Sequence, residues 1–410
     1  MDGFFTKKET QSISRPDGRT YSCYSCGLYK DCERPKMAPY GNFKKKILNI
    51  GEAPEKVEDE LGKPWQGRAG KLLQKTYKKL GIDLFDDCLN INAVNCRPSE
   101  DGENRTPVNY EIECCRKFVL QTIIKYKPKV IILLGNSAIY SIIGHRWKKD
   151  FGGINKWRGW TIPDQDFKAW ICPTFHPSYI ERGDSDDIAK VIWEQDLTRA
   201  IHKIKEPFYV YKEPDIEIVK DLRVLDNIKE GTPIVPDFET TGKKLHAQGH
   251  KIVCASIADS PDHAYSFMIP KSRKEREPLY NLLTNPNIPK YGQNIKYEYE
   301  CSMVYFRKEI VGWEWDTMLA SHILDNRPGI TGLKFQTYVR FGIVDYSSGI
   351  DPYLKSTSQK NANGINKILD LISIPGGEEK LLKYCGYDTI YEYRLAQFQQ
   401  EIIKSNILPF

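Results

Sequence analysis

From residue 44 onward the chain alternates short apolar runs with longer stretches of helical patterning. Strand-like runs fall at 47–50, 89–94 and 130–134, and helix-like segments at 68–80 and 109–126 lie between them. Further strands are expected around Trp160 and over 170–175, with a closing helix over 186–205. Such alternation predicts an α/β domain. A stretch of prolines and charges over 206–231 breaks the pattern and marks a boundary. Strands resume at Ile234, over 252–257 and over 264–269, followed by helices near 273–283 and 297–306. Residues 347–366, rich in Ser, Asn, Lys and Gly, read as a loop, and 378–404 as a strong helix. The expected architecture is two domains, 1–205 and 233–410, joined by a linker over 206–232.

A length of 410 residues exceeds one ordinary core and agrees with two domains. The formal net charge of +6 suits a polyanionic partner without demanding one. No run of 18 apolar residues occurs, and the opening residues lack the apolar core of a signal peptide. The expectation is a soluble, cytoplasmic protein with no membrane partner. Among eleven cysteines, Cys23 and Cys26 form a Cys-x-x-Cys followed by Cys32, while Cys96 and the Cys114/Cys115 pair sit far downstream in polar surroundings. Cys254, Cys301 and Cys385 read as small buried hydrophobes. Disulfides are disfavoured in that compartment, so a soft metal or an iron-sulfur cluster is expected at the first group.

Asp237 and Glu239 stand one residue apart on a strand that runs into the turn Thr240-Thr241-Gly242. Residues at i and i+2 share a strand face. Two carboxylates on one face repel and cost desolvation, which points to a bound cation, most naturally a divalent metal. Glu298 and Asp388 are candidates to complete the set.

Earlier in the chain, Gly51-Glu52-Ala53-Pro54 follows a strand directly, at the edge where open α/β sheets bind ligands. Glu58-Asp59 follows, then Gly62-Lys63-Pro64-Trp65-Gln66-Gly67-Arg68-Ala69-Gly70, Asn92 ahead of Cys96-Arg97-Pro98, Leu133-Leu134-Gly135 and His176-Pro177-Ser178-Tyr179. Together these resemble the family 4 uracil-DNA glycosylases, the iron-sulfur branch, over about residues 21–201. The resemblance implies an α/β/α fold and a [4Fe-4S] cluster on Cys23, Cys26, Cys96 and Cys115, leaving Cys32 and Cys114 spare. It also implies that Trp65, where the family usually has Phe, stacks on an extruded base and that Asn92 reads the uracil edge. His176 would stabilise the departing uracil anion, Glu52 and Glu58 would position water and balance a cationic sugar, and Arg182 would enter the duplex. Glu55 stands where the family has Gly and adds a negative charge beside the water site.

In the second half, Asp237-Phe238-Glu239-Thr240-Thr241-Gly242, Gln293-Asn294-Ile295-Lys296-Tyr297-Glu298 and Tyr384-Cys385-Gly386-Tyr387-Asp388 resemble the three motifs of DnaQ-like 3′-5′ exonucleases of the bacterial DNA polymerase I type. Trp315 to Leu324 and Gly332-Leu333-Lys334 match the same branch, over about 233–400 in all. The resemblance implies a ribonuclease H-like fold and two divalent ions, Mg²⁺ or Mn²⁺, roughly 4 Å apart on Asp237, Glu239, Glu298 and Asp388. Tyr384 would orient the attacking water, and Asn294 and Lys296 would support the fold or touch DNA. Glu298 stands where the family has Asp, Glu300 is the second choice for that ligand, and Lys243 replaces the usual Leu.

The expected function is therefore a DNA repair and replication enzyme that excises uracil and trims 3′ ends. The final Ile407-Leu408-Pro409-Phe410 reads as the point where a polymerase would continue, which suggests a separately encoded polymerase partner and a viral replication setting. The alternative is a glycosylase-like domain that grips DNA or polymerase without excising uracil, and Glu55 is its support.

Overall fold

The computed structural model describes residues 21–147, 150–182, 187–355 and 364–405. The chain divides into two units, one comprising Met1–Tyr211 and Val339–Val344, the other Lys212–Tyr338 and Asp345–Phe410. The terminal run invoked for a polymerase partner, 407–410, lies outside the described residues, as does 356–363 of the expected loop.

In the first unit α1 (Cys23–Cys26) precedes β1 (Ile47–Gly51), α2 (Lys56–Leu61), α3 (Arg68–Lys79) and β2 (Cys88–Asn92). A hairpin of β3 (Ser99–Glu100) and β4 (Glu103–Asn104) leads into α4 (Asn109–Tyr126), β5 (Val130–Leu134) and α5 (Asn136–Arg146). Then follow α6 (Ile154–Trp157), β6 (Ile162–Asp164), β7 (Ala169–Thr174), α7 (Pro177–Glu181) and α8 (Asp187–His202). The main sheet has the order β2-β1-β5-β7-β6, with β6 antiparallel and the others parallel. β1, β2 and β5 are buried along their whole length, which is why they carry little polar alternation. The strand expected around Trp160 is the short β6, two residues further on, because Trp160 itself anchors the preceding turn through its indole N–H to the Lys156 carbonyl at 3.0 Å. The chain leaves β1 for β2 on one side and returns to β5 on the other. The loops after β1 and β5 therefore diverge at the carboxyl edge, the crevice in which such sheets bind ligands.

The second unit starts inside the stretch expected as a linker. There β8 (Asp215–Ile218) joins the sheet in parallel with β11, and Leu222 and Leu225 are buried in the core. The strands β9 (Val235–Thr240), β10 (Ile252–Ser260) and β11 (His263–Met268) are antiparallel neighbours, giving the order β8-β11-β10-β9. Next come α9 (Glu277–Thr284), β12 (Lys290–Gly292), α10 (Lys296–Cys301), β13 (Trp313–Asp316) and α11 (Thr317–Leu324). The chain closes with α12 (Leu333–Phe341), α13 (Asp351–Leu354), α14 (Ile368–Ser373) and the long α15 (Gly377–Lys404). The helix expected over 297–306 is α-helical only to Cys301 and widens into a π-type turn over Ser302–Phe306. α15 lies directly on the sheet because position 386 is glycine. A Cβ there would come within 2.6 Å of Ile216 and 2.9 Å of Ser266 Oγ. Among the described residues no helix is long and apolar enough to cross a membrane.

Candidate functional site

The first unit gathers its motif residues at the carboxyl edge of its sheet. Glu52 follows β1, and Ser137 Oγ at the start of α5 donates to Glu52 Oε2 at 2.8 Å. Burial raises the Glu52 carboxyl above its ordinary range, with the Ser137 donor and the Arg182 guanidinium opposing. Gly51 is sterically required, since a Cβ would lie 2.4 Å from Asn92 Oδ1 and 2.9 Å from the Trp65 ring. Asn92 and Trp65 are each only 4% exposed. Neither Asn92 Nδ2 nor Trp65 Nε1 has a hydrogen-bond partner among the described residues. Buried donors left unpaired are costly, so their presence at one strand end suits a polar guest.

His176 caps the N-terminus of α7. Its Nδ1 accepts from the Ser178 backbone N–H at 3.3 Å and lies 2.7 Å from Ser178 Oγ. An accepting Nδ1 leaves the ring proton on Nε2. Burial, aided by Arg182, pulls His176 down to about 4, so the imidazole is neutral at physiological pH. Its ring sits 5.7 Å from that of Trp65, inclined by 34°. A cavity of about 650 Å³ opens here, lined by Glu52, Glu55, Arg68, His176 and Arg182 among others. Arg182 is exposed at its mouth and bonds through Nε to the Ser178 carbonyl at 3.2 Å.

Glu58 does not line that cavity. It accepts from Glu55 N and Gln66 N, both at 3.1 Å, and so ties the start of α2 to the turn that presents Trp65. Burial raises Glu58 to about 7. The neighbouring Asp59 accepts from Glu33 N and Arg34 N at 2.9 Å, fastening the cysteine segment to α2.

Cys23, Cys96 and Cys115 line a second cavity of about 390 Å³, and Cys26 and Cys32 pack into the same cluster of side chains as Cys96 and Cys115. The Lys36 N–H donates to Cys96 Sγ at 3.2 Å and the Asn95 N–H to Cys115 Sγ at 3.3 Å. Backbone donors aimed at sulfur favour the thiolate, whereas burial pushes Cys26 up to about 11 and Cys96 and Cys115 up to about 12. This donor set, soft sulfurs with N–H support and a void between them, fits an iron-sulfur cluster. Cys32 donates to the Leu28 carbonyl at 3.3 Å, and Cys114 Sγ lies 4.0 Å from Ser25 Oγ.

In the second unit, Asp237 and Glu239 on β9 meet Asp388 on α15, and one carboxylate oxygen from each lies within 4.8 Å of the others. Glu298 is buried at the start of α10 with Oε2 unpartnered among the described residues. Glu300 is exposed. Burial and mutual repulsion raise Asp237 to about 7 and lift Glu239 and Glu298 well above the carboxylate range. Burial also raises Asp388, although Lys334 and the hydroxyls of Tyr346 and Tyr384 oppose it. Tyr346 donates to Asp388 Oδ1 at 2.6 Å, and Lys334 Nζ donates to the Tyr384 hydroxyl at 3.0 Å. Asn294 has a left-handed φ of 62° and donates its N–H to Asp316 Oδ1 at 3.2 Å, so it shapes the turn into α10. Lys296, beside it, is exposed.

Three residues here were not singled out from sequence for this site: Tyr346, Lys334 as the cation at Tyr384, and the buried Glu392. Burial raises Glu392 strongly, and Asp237, Glu298 and Asp388 add to the effect. Tyr384, Asp388 and Glu392 recur every four residues on α15, so helical periodicity carried a signal for Glu392. Tyr346 comes from an irregular segment and carried none.

Trp65, Asn92 and His176 belong to an α/β unit with a mixed, mainly parallel sheet, and residues 38–197 match the uracil DNA glycosylase superfamily. Over 202 residues the chain is 33% identical to the type-4 uracil-DNA glycosylase of Thermotoga maritima, spanning 49% of this chain and 98% of that protein. It is 34% identical over 165 residues to the type-4 uracil-DNA glycosylase of Pyrobaculum aerophilum, spanning 39% and 80%. The chain belongs to the type-4 uracil-DNA glycosylase family. Among solved structures, Brucella melitensis NrnC with bound Mg²⁺ aligns at a TM-score of 0.34 and 16% identity, over 47% of this chain and 82% of that one. Escherichia coli RNase D aligns at a TM-score of 0.34 and 14% identity, over 47% and 46%.

Proposed function

We propose that this chain is a DNA enzyme with two activities, excision of uracil by the first unit and removal of 3′-terminal nucleotides by the second. The observation that carries the first is the neutral His176, with its proton on Nε2, next to Trp65, together with the buried Asn92 Nδ2 that has no partner among the described residues. Trp65 stacks on the extruded base. The Asn92 amide, with Nδ2–H donating to the uracil O4 and Oδ1 accepting from N3–H, fits uracil, whereas cytosine presents the opposite order, an amino donor and an N3 acceptor, and pairs only with the amide turned over. His176 Nε2–H donates to the uracil carbonyl oxygen as negative charge grows there, which lowers the barrier to breaking the glycosidic bond. Glu52, held by Ser137, faces the sugar and orients water. Arg182 fills the space left in the duplex. Glu58 acts through the loop that carries Trp65. Cys23, Cys26, Cys96 and Cys115 would hold an iron-sulfur cluster, which would tie together α1, α4 and the segment around Asn95.

For the second activity the carrying observation is the convergence of Asp237, Glu239 and Asp388, with Glu298 buried beside them. Two Mg²⁺ or Mn²⁺ ions bound there would activate water and steady the leaving 3′ oxygen. Tyr384 orients the water, and Lys334 fixes the Tyr384 hydroxyl. The reading implies a ribonuclease H-like, DnaQ-type fold for this unit.

The test is a 5′-labelled oligonucleotide carrying one deoxyuridine, incubated with and without EDTA, half of each sample then treated with alkali. Alkali-dependent scission at the uracil that survives EDTA is expected, together with an EDTA-sensitive ladder from the 3′ end. Absence of both products overturns the proposal. Tight binding of the uracil strand without scission would favour the binding-module alternative, for which Glu55 in the cavity lining is the supporting observation.

A further inference from the structure

α3 reads Arg-Ala-Gly-Lys-Leu-Leu-Gln-Lys-Thr-Tyr-Lys-Lys and holds no acidic residue. It buries Gly70, Leu73, Thr76 and Tyr77 and exposes Arg68, Lys71, Lys75, Lys78 and Lys79. Residues three and four apart share a helix face, so Arg68, Lys71, Lys75 and Lys78 form one ridge. Like charges at that spacing destabilise a helix slightly, and a merely solvated face is served as well by mixed signs. Among the described residues only the ends of the helix are neutralised. Arg68 Nε lies 3.4 Å from Glu181 Oε1, and Lys79 Nζ lies 3.3 Å from Glu194 Oε1. Lys71, Lys75 and Lys78 have no acidic partner among the described residues. The ridge also begins at the site, since Arg68 and Lys71 line the cavity that holds Glu52 and His176. From Arg68 to Lys78 it runs about 15 Å at about 1.5 Å per residue. That length matches about four nucleotide steps of one duplex strand at roughly 3.4 Å each.

We propose that the basic ridge of α3 is a phosphate track for the DNA strand that flanks the extruded nucleotide, with Lys75 and Lys78 each meeting a backbone phosphate. The proposal rests on the glycosylase reading for what occupies the cavity, but the ridge has its own readout. Each neutralised phosphate steepens the fall of log affinity with log salt by about 0.9 in duplex DNA.

The experiment uses the full chain, in EDTA, on a closed dumbbell duplex containing one deoxyuridine, so that no 3′ end engages the second unit. Binding is measured from about 50 to about 200 mM salt for the wild type, the double variant Lys75→Ala/Lys78→Ala and the double variant Lys75→Arg/Lys78→Arg. The alanine variant is expected to lose about 1.8 from the salt slope, which makes its affinity loss across that range roughly twelvefold smaller than that of the wild type. The arginine variant is expected to keep the slope. Single-turnover excision at saturating enzyme is expected to stay unchanged in both, which also shows that the fold is intact. An unchanged slope in the alanine variant overturns the ridge, as does an equal loss in the arginine variant. A wild type that binds with a steep slope yet excises nothing would sink the glycosylase reading instead.

Discussion

His176 is kept neutral by where it sits: burial and Arg182 lower it to about 4, and Nδ1 is committed to Ser178. Its folded value lies below the ordinary histidine value of about 6.5, so the unfolded chain takes the proton first as pH falls. The resulting stability is complete above about pH 6.5 and drains away toward pH 4. For excision, the same shift predicts that no acid limb due to His176 appears between pH 8 and about pH 5 in single-turnover rates. His176→Ala is expected to slow excision by about 10²–10³, the usual cost of one donor to a developing anion, with uracil-DNA binding affected far less. An equal loss in binding and rate would show that the ring only shapes the pocket. Glu298 poses the matching question in the second unit, because its carboxylate carries an extra methylene and its Oε2 has no partner among the described residues. Glu298→Gln is expected to lower exonuclease rates by at least about 10² by removing a ligand charge, whereas Glu300→Gln, on an exposed side chain, leaves the rate unchanged.

Elements explain why some of this was legible in sequence and some was not. Glu52, Asn92 and His176 follow or end parallel strands, and strand ends are visible as apolar runs closing on polar residues. Glu58 was visible as a motif residue, but its partners, the backbone N–H groups of Glu55 and Gln66, belong to a turn that no periodicity encodes. The sequence of β8 reads as linker because a short, largely exposed edge strand in which two acids alternate with isoleucines looks like a polar connector. α15 is the element on which the second site depends, since it brings Asp388 and Glu392 against β9, and Cys385 Sγ lies 3.6 Å from Asp237 Oδ2. Asp237, Glu239, Glu298, Asp388 and Glu392 are all raised by burial among one another. With raised values the folded state holds more protons than the unfolded chain above about pH 4. That contribution is full in acid and is lost as pH rises through about 7, the value of Asp237. The metal-free chain is therefore expected to melt at a higher temperature near pH 5.5 than near pH 8 in the transition of the second unit. Mg²⁺ or Mn²⁺, which relieves the repulsion, is expected to raise that transition more at about pH 8 than at about pH 5.5. A metal effect independent of pH would exclude these carboxylates as the ligands.

At the scale of the whole molecule, the two sets of reactive groups belong to different units. Glu52, Asn92 and His176 lie within Met1–Tyr211, while Asp237, Glu239, Glu298 and Asp388 lie within Lys212–Tyr338 and Asp345–Phe410. They also need different chemistry. In the proposed mechanisms uracil release runs on hydrogen bonds and a stacked ring, none of which calls for a divalent ion, whereas phosphodiester hydrolysis on a carboxylate cluster would call for one. Asp237→Ala is therefore expected to abolish the 3′ ladder and leave uracil excision at the wild-type rate. Asn92→Ala is expected to remove excision and leave the ladder intact. Cys96→Ser gives a third, separate signature. With one cluster ligand lost, the visible absorbance of the iron-sulfur group should disappear and the first unit should melt at a lower temperature, because the N–H of Lys36 and the segments around α1 and α4 lose their common anchor. The ladder from Cys96→Ser should then match wild type at temperatures below that melt. Comparing all three variants on one 5′-labelled, uracil-containing strand, with and without EDTA, would show whether two independent enzymes share this chain. Loss of both activities in Asp237→Ala would instead mean that the second unit must be intact for the first to hold DNA.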